Sequence, residues 1–261
     1  MSVNDLGLTA LTHTGTAPLY RLVKRELVRV IESGRCAPGH ALPNERAIAA
    51  ALNVSVGTLR HAVDELVHEH VLVRRQGKGT FVALHTSDRF LFQFFHVEPR
   101  VDWRFGELAA HAEYPRVECV GFDRERASDV DAGALRIRIG EPVLRFDNRL
   151  SLGGRAVVHD RITVAEQLFR GLSEKRLLDR PSTIYNLYQT DFGITVLHAQ
   201  ERARAVAANR TSARVLGVAV GAAVLEVHRL AMTFGAKPVE YRVSTINTQL
   251  HDYVSVLSKP V

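Results

Sequence analysis

The chain has 261 residues, of which 46% are hydrophobic, 24% charged and 7% aromatic, enough apolar matter for two modest domain cores and too little bias for a disordered or repetitive protein. Its two cysteines, Cys36 and Cys119, are too few for a disulfide framework and lack metal-ligand spacing, and no membrane-length apolar run or signal-peptide pattern is present, so a cytoplasmic protein without metal or cofactor is expected. A formal net charge of +6 favours polyanionic partners without naming one.

Residues 1–16 show no sustained period and read as a flexible arm. From Pro18 the apolar residues Leu19, Leu22, Val23, Leu27, Val30 and Ile31 recur at helical spacing, with Pro18 suited to the first turn and Gly34 to the end. Pro38, Gly39 and Pro43 impose a turn before a short helix over 44–52, capped by Asn44 and buried through Ile48, Ala49 and Leu52. Ser55 caps a third helix that runs to about His68 on the apolar face Leu59, Ala62, Val63, Leu66 and Val67. Residues 71–73 and 80–82 then read as two short strands bracketing Arg74-Arg75-Gln76-Gly77-Lys78-Gly79, a basic hairpin. Three short helices and such a hairpin make a winged helix-turn-helix over 17–83, whose third helix enters the major groove while the wing follows the backbone or minor groove.

The charge sits where that reading needs it. Residues 18–82 carry ten basic and six acidic side chains, a surplus of four in a quarter of the chain. Ser55, Val56, Gly57 and Thr58 start the reading helix with small side chains and exposed N–H groups, and Arg60 projects one turn later to a base edge or phosphate. Arg46 is a second phosphate or guanine candidate, and Arg74, Arg75, Gln76, Gly77 and Lys78 form the wing. A lone arginine is more often a solvated surface group; the recurrence of these at motif positions favours DNA contact. His61, His68 and His70 lack a Cys or carboxylate at ligand spacing and read as surface or packing residues.

Pro18-Leu19-Tyr20, Pro38-Gly39, Leu42-Pro43-Asn44-Glu45-Arg46, Leu52-Asn53-Val54-Ser55, Thr58-Leu59-Arg60 and the run Arg74 to Val82 resemble the GntR family of bacterial transcription regulators across the whole module. The resemblance implies an operator-binding protein. The family usually has Ser where Asn44 stands, Arg where Val56 stands and Gly where His70 stands. Val56 therefore implies an altered operator, with more of the readout on Arg46, Arg60 and the wing.

Residues 84–98 form a connector whose Phe90, Leu91, Phe92, Phe94 and Phe95 are too apolar for a free linker and are expected to pack on a domain or partner chain. Over 99–261, strand alternation at 143–150, 155–162 and 224–231 is separated by helices near 182–189 and 210–216, an α+β pattern. The first two strands, joined by Ser151-Leu152-Gly153-Gly154, read as an antiparallel hairpin. This half is similar to the ligand-binding UTRA domain of the HutC subfamily, through Gly140-Glu141-Pro142-Val143-Leu144, Arg149-Leu150, Ser182-Thr183-Ile184-Tyr185, Leu216-Gly217-Val218, Leu225-Glu226-Val227-His228-Arg229 and Lys237-Pro238-Val239-Glu240-Tyr241. The similarity implies a chorismate-lyase-like fold with an antiparallel sheet, an effector site and dimerisation.

Arg145, Asp147 and Arg149 alternate onto one face of their strand. If that face lines a cavity, Arg149 is the anion clamp and Asp160, Ser182, Tyr185 and Glu240 are further polar contacts. The same alternation also fits an outward-facing ion-pair ladder. Sugar-phosphate sensors of the subfamily carry a second arginine where Asp147 stands, which points here to a carboxylate. The function expected is a ligand-responsive repressor binding a pseudo-palindromic operator as a homodimer and responding to a small anionic metabolite. The alternative is a chorismate-lyase-like enzyme with a DNA-binding appendage, and the sequence offers it no nucleophile elbow, phosphate loop or metal motif.

Overall fold

The computed structural model describes residues 3–11, 18–69, 71–84, 96–100, 115–180 and 183–255, which fall into two compact units. The connector's apolar residues Phe90, Leu91, Phe92, Phe94 and Phe95, together with His70 and Ser182, lie outside the described residues.

The first unit holds three helices, α1 (Leu19–Glu32), α2 (Glu45–Leu52) and α3 (Val56–His68), followed by an antiparallel hairpin of β1 (Leu72–Arg75) and β2 (Gly79–Val82). Both shorter helices begin where a side chain replaces a missing backbone partner: Asn44 Oδ1 accepts from Arg46 N at 2.8 Å, and Ser55 Oγ accepts from Thr58 N at 3.0 Å. Asn53 ends α2 in the left-handed region, leaving a tight turn into α3. Val23, Leu27, Ile48, Leu52, Leu59 and Leu66 close the core between the helices. The wing is tied down by the preceding turn, since Leu42 N donates to Thr80 O and Val82 N to His40 O.

Two features of this unit differ from expectation. Residues 3–11, read as part of a free arm, are folded: Leu6 is fully buried and Leu11 N donates to Leu52 O at 3.0 Å. The apolar positions Leu6, Leu8 and Leu11 are too few to make a period, but each needs only a groove to fill. Residues 188–197 also group with this unit, where the Gln189 amide donates to the Ala83 carbonyl at 3.0 Å.

The second unit is built on a six-stranded sheet, entirely antiparallel, of β4 (Arg116–Arg126), β5 (Pro142–Leu152), β6 (Arg155–Ala165), β7 (His198–Ala207), β8 (Ala223–Thr233) and β9 (Lys237–Ile246), in the order β4-β5-β6-β9-β8-β7. The helices are α4 (Asp129–Leu135), α5 (Glu174–Leu178) and α7 (Arg210–Leu216), with residues 184–187 of α6 (Ile184–Phe192), whose remainder groups with the first unit. A separate pair joins β3 (Val97–Pro99) to β10 (His251–Tyr253). The expected hairpin is β5–β6, with Gly153 and Gly154 at φ 52° and 74°, the conformation a two-residue turn of primed type requires. α4 and α7 pack on one face of the sheet, and Leu150, Val158, Val227 and Ile246 form an apolar floor on the other.

Three strands of the six-stranded sheet escaped the sequence reading, as did the short pair β3 and β10. β4 and β7 are the sheet's edges and carry charged residues on both faces, which removes the alternation that marks a half-buried strand. β9 is central but buries Glu240 and Arg242, so its hydropathy does not alternate either.

Because the Asn44 cap holds α2 at the edge of the reading surface, Asn44→Ala should lower stability by about 1 kcal/mol in chemical denaturation, while Asn44→Ser restores it.

Candidate functional site

In the first unit the residues assigned to DNA form one exposed surface. Arg46 lies in the first turn of α2, and Ser55, Val56, Gly57 and Thr58 lie at the start of α3, where Thr58 Oγ1 and Ser55 Oγ share a hydrogen bond of 2.8 Å. Arg60 is largely exposed, and its Nε donates to Glu45 Oε2 at 2.7 Å. Arg74 pairs with Asp64 and stands 3.9 Å from Glu45. Glu45, which sequence reasoning passed over, therefore stands between two of the candidate DNA contacts and limits where their guanidinium groups rest. In the wing, Arg75 covers the Phe81 ring at 4.8 Å, Gln76 and Lys78 are exposed, and Gly77 and Gly79 take φ of 70° and 105°, open only to glycine without strain. His61 stacks on Tyr20 with ring centroids 4.0 Å apart, a packing role rather than a metal one.

The second unit contains a cavity of about 700 Å³, inside the range of small-molecule sites. Its floor is the sheet face carrying Asn148 of β5, Asp160 of β6, Ser244 and Arg242 of β9, and Arg229 of β8. These are neighbours by register, Asn148↔Asp160, Asp160↔Ser244 and Arg229↔Arg242, so the chain brings together residues up to 96 positions apart through strand pairing alone. Arg242 Nη1 donates to Asp160 Oδ2 at 3.0 Å, and its Nε and Nη2 grip Glu240 at 3.0 and 3.1 Å. Ser244 Oγ donates to the other Asp160 oxygen, and Tyr185 OH donates to Glu240 Oε1 at 3.0 Å. Arg229 and Tyr253 both donate to Glu201.

The electrostatics follow from this crowding. Burial raises the Tyr185 phenol, and Glu240 raises it further, so it stays a donor. Burial pushes the Glu201 carboxyl upward, but the charge of Arg229 and the hydrogen bonds from Tyr253 and Arg229 outweigh it and hold the carboxyl below its ordinary range. Arg242 resists burial in the same way, through Glu240 and Asp160. The arrangement is a largely buried guanidinium, each of whose three nitrogens donates to a carboxylate, beside a cavity large enough for a metabolite.

Of the residues assigned to an effector, Asp160 and Tyr185 line this cavity and Glu240 bonds to both Tyr185 and Arg242. Arg145 and Asp147 do not line it. β5 turns these two away from the cavity, toward the face covered by α4 and α7: Arg145 pairs with Asp131 of α4 at 2.8 Å, and Asp147 pairs with His159 at 2.9 Å and Arg161 at 3.1 Å. Arg149 borders the cavity, but both its Nε and Nη2 donate to Glu118 of the neighbouring strand, so the ion-pair reading describes this row better than the clamp. Asn148, Arg229 and Arg242 were missed, although Glu240-x-Arg242-x-Ser244 carries polar residues at the strand period.

On the far face, Ser212 Oγ lies 3.1 Å from His159 Nδ1, whose Nε2 meets Asp147. Ser212 and His159 are buried and absent from the cavity lining, so this nucleophile-like order of groups pins α7 to the sheet. Among the described residues, no cluster of three or more His, Cys, Asp or Glu side chains is placed to hold a metal ion.

Truncating Arg242 leaves Asp160 and Glu240 buried without their partner, so Arg242→Ala should destabilise the protein by roughly 3–5 kcal/mol in urea denaturation, whereas Arg149→Ala on the exposed rim should barely move the midpoint. Glu201 and Asp147 both have depressed carboxyl pKa values. The stability they confer is complete above the ordinary carboxylate range and lost as pH falls through the depressed values, which an acid titration followed by circular dichroism should show weakened in Glu201→Gln.

Comparison with known proteins places both units. Residues 19–82 match the model for bacterial regulatory proteins of the gntR family, and residues 111–252, more than half of the chain, match the UTRA domain. A histidine utilization repressor of Pseudomonas aeruginosa is 35% identical over 127 residues, 49% of this chain and 48% of that protein, so the match spans about half the length of that relative. A protein of Escherichia coli named as a fructoselysine utilization operon transcriptional repressor is 27% identical over 222 residues, 85% of this chain and 87% of its own. The ligand-binding domain of a GntR-family transcriptional regulator from Bordetella bronchiseptica superposes with a TM-score of 0.56 at 30% identity, covering 63% of this chain and 98% of that one. These relatives are regulators rather than enzymes. The chain belongs to the gntR family of bacterial regulatory proteins, in the branch whose second domain is UTRA.

Proposed function

We propose that the chain is a one-component repressor of the bacterial cytoplasm, which binds a pseudo-palindromic operator as a homodimer and changes its DNA affinity when a small anion occupies the cavity of the second unit. The domains that carry this reading are 17–83 for DNA and 99–261 for effector binding and dimerisation, joined by the connector 84–98. The observation that supports it most is that Arg46, Arg60, Arg74, Arg75 and Lys78, on the first turns of α2 and α3 and on the wing, are all exposed, while the same elements bury Ile48, Leu59, Leu72 and Val82 in the unit's core. Glu45 keeps Arg60 and Arg74 from resting on any polyanion indiscriminately, which favours sequence-dependent over purely electrostatic binding.

The anion preference rests on the cavity. Five arginines border it against the carboxylates Glu118 and Asp160 among the described residues. A ligand can couple to DNA only by binding two arrangements of the protein unequally, so operator and effector must alter each other's affinity by one common factor.

On an operator selected from random duplex DNA, Arg60→Ala should weaken binding roughly 5- to 150-fold, as expected for a lost base contact. Lys78→Ala should instead lower the slope of log affinity against log salt by about 1, the mark of a phosphate contact. Unchanged affinity in Arg60→Ala removes α3 from the reading role. Light scattering at micromolar concentration should give twice the 29.0 kDa chain mass; a monomer with and without operator contradicts the dimer.

A further inference from the structure

Where α2, α3 and the wing meet, four charged side chains form a row of alternating sign. Asp64 Oδ1 of α3 pairs with Arg74 Nη1 at 2.5 Å, Arg74 Nη2 stands 3.9 Å from Glu45 Oε1, and Glu45 Oε2 accepts from Arg60 Nε at 2.7 Å. Two acidic and two basic groups cancel, so the row as a whole adds no net attraction for the DNA backbone. Its two arginines are not equivalent. Arg74 lies between two carboxylates, whereas Arg60 meets one, and only through Nε. Among the described residues Arg60 Nη1 and Nη2 make no hydrogen bond, and the side chain is 64% exposed.

A guanidinium held at Nε keeps its end-on fork, the two Nη groups, for a partner. DNA offers that fork two kinds of acceptor. A phosphate brings a full negative charge, which here would come close to the Glu45 carboxylate that already holds the guanidinium, and the two like charges repel. The major-groove edge of guanine presents a matching pair of acceptors, O6 and N7, on a neutral base, and the cytosine paired with it presents an N4 amino donor that a neighbouring carboxylate attracts. Holding the long arginine side chain before DNA arrives also takes part of its ordering cost out of the binding step.

Resting on the reading of this unit as the DNA-binding module, we infer that Glu45 is a specificity-determining residue: it holds Arg60 by Nε so that the Nη fork meets O6 and N7 of a guanine, and the pair thereby fixes one G·C base pair in each half-site. Arg60 makes the contact and Glu45 positions it. An exposed ion pair of this kind adds little to the stability of the fold, so removing the carboxylate leaves the unit folded. The charge of Glu45 acts in opposite directions on the two modes of binding, lowering affinity for DNA of arbitrary sequence and raising it for the guanine-bearing site.

The test takes the full chain and its Glu45→Ala, Glu45→Asp and Arg60→Ala variants through selection from random duplex DNA, then measures affinities for the wild-type consensus duplex and for a scrambled one. The wild-type pool should carry a guanine at one half-site position where the Arg60→Ala pool shows no preference, the other positions persisting. Glu45→Ala should lose the preference at that same position, bind the consensus roughly tenfold more weakly, and bind the scrambled duplex at least as tightly as the wild type. Glu45→Asp keeps the charge and withdraws the carboxylate by one methylene, so it should lose the guanine without gaining on the scrambled duplex. A merely structural role would not move the preference at a single base pair. The inference is overturned if either Glu45 variant keeps the guanine, if Glu45→Ala tightens both duplexes alike, the mark of a purely electrostatic brake, or if Arg60→Ala weakens every sequence equally and lowers the salt slope, the mark of a phosphate contact. A wild-type pool without any consensus overturns the regulator reading as well, whereas an unaltered consensus in the variants leaves that reading standing.

Discussion

The structure of the second unit depends on one geometric constraint, the two-residue period of its central strands. On β5 and β6 it sends Asn148 and Asp160 to the cavity and Asp147, His159 and Arg161 to the face beneath α4 and α7. Both faces are covered, so the polar groups they bury need partners, and each face meets most of that need with its own network, leaving Arg145 Nε and Asn148 Oδ1 without a hydrogen bond. The cavity network is centred on Arg242, held by carboxylates on two strands; the other is centred on Asp147, which takes hydrogen bonds from His159 and Arg161. A one-residue slip in β5 would exchange the two sets, stranding charge on both sides, so the register is specified by electrostatics as strongly as by apolar packing.

The same constraint explains what could be read in advance and what could not. The alternation of residues 143–150 shows that Arg145, Asp147 and Arg149 share a face, and the structure keeps them together. Parity alone does not say which face meets the cavity, because that is decided by where α4, α7 and the residues near Tyr185 come to rest. The β5–β6 hairpin was legible because Gly153 and Gly154 permit a turn that few other pairs allow. The edge strands β4 and β7 were illegible because a charged edge, which protects a sheet from pairing with other chains, also erases the hydropathy signal of a strand.

The three helices and the wing of the first unit were legible almost to the residue, since caps, turn residues and a helical apolar stripe all agree there. Asn44, Ser55 and Asn53 each do locally what their residue types favour, and Gly77 and Gly79 supply the backbone freedom the wing needs. What local rules could not show is Glu45. Its partners Arg60 and Arg74 lie 15 and 29 positions away, and only the packing of α2 against α3 and the hairpin brings them within reach. An acidic residue among candidate DNA contacts weakens non-specific attraction to phosphate and restricts the guanidinium groups to fewer orientations, a combination that trades affinity for discrimination.

Sequence-dependent DNA recognition is the claim on which the rest stands. Selection of bound duplexes from a random pool by the full chain, followed by sequencing, measures it without knowledge of any effector or target gene. The account predicts a two-fold symmetric consensus whose half-sites are spaced by about one helical turn of DNA or a multiple of it. A bound pool indistinguishable in sequence from the starting pool would contradict it.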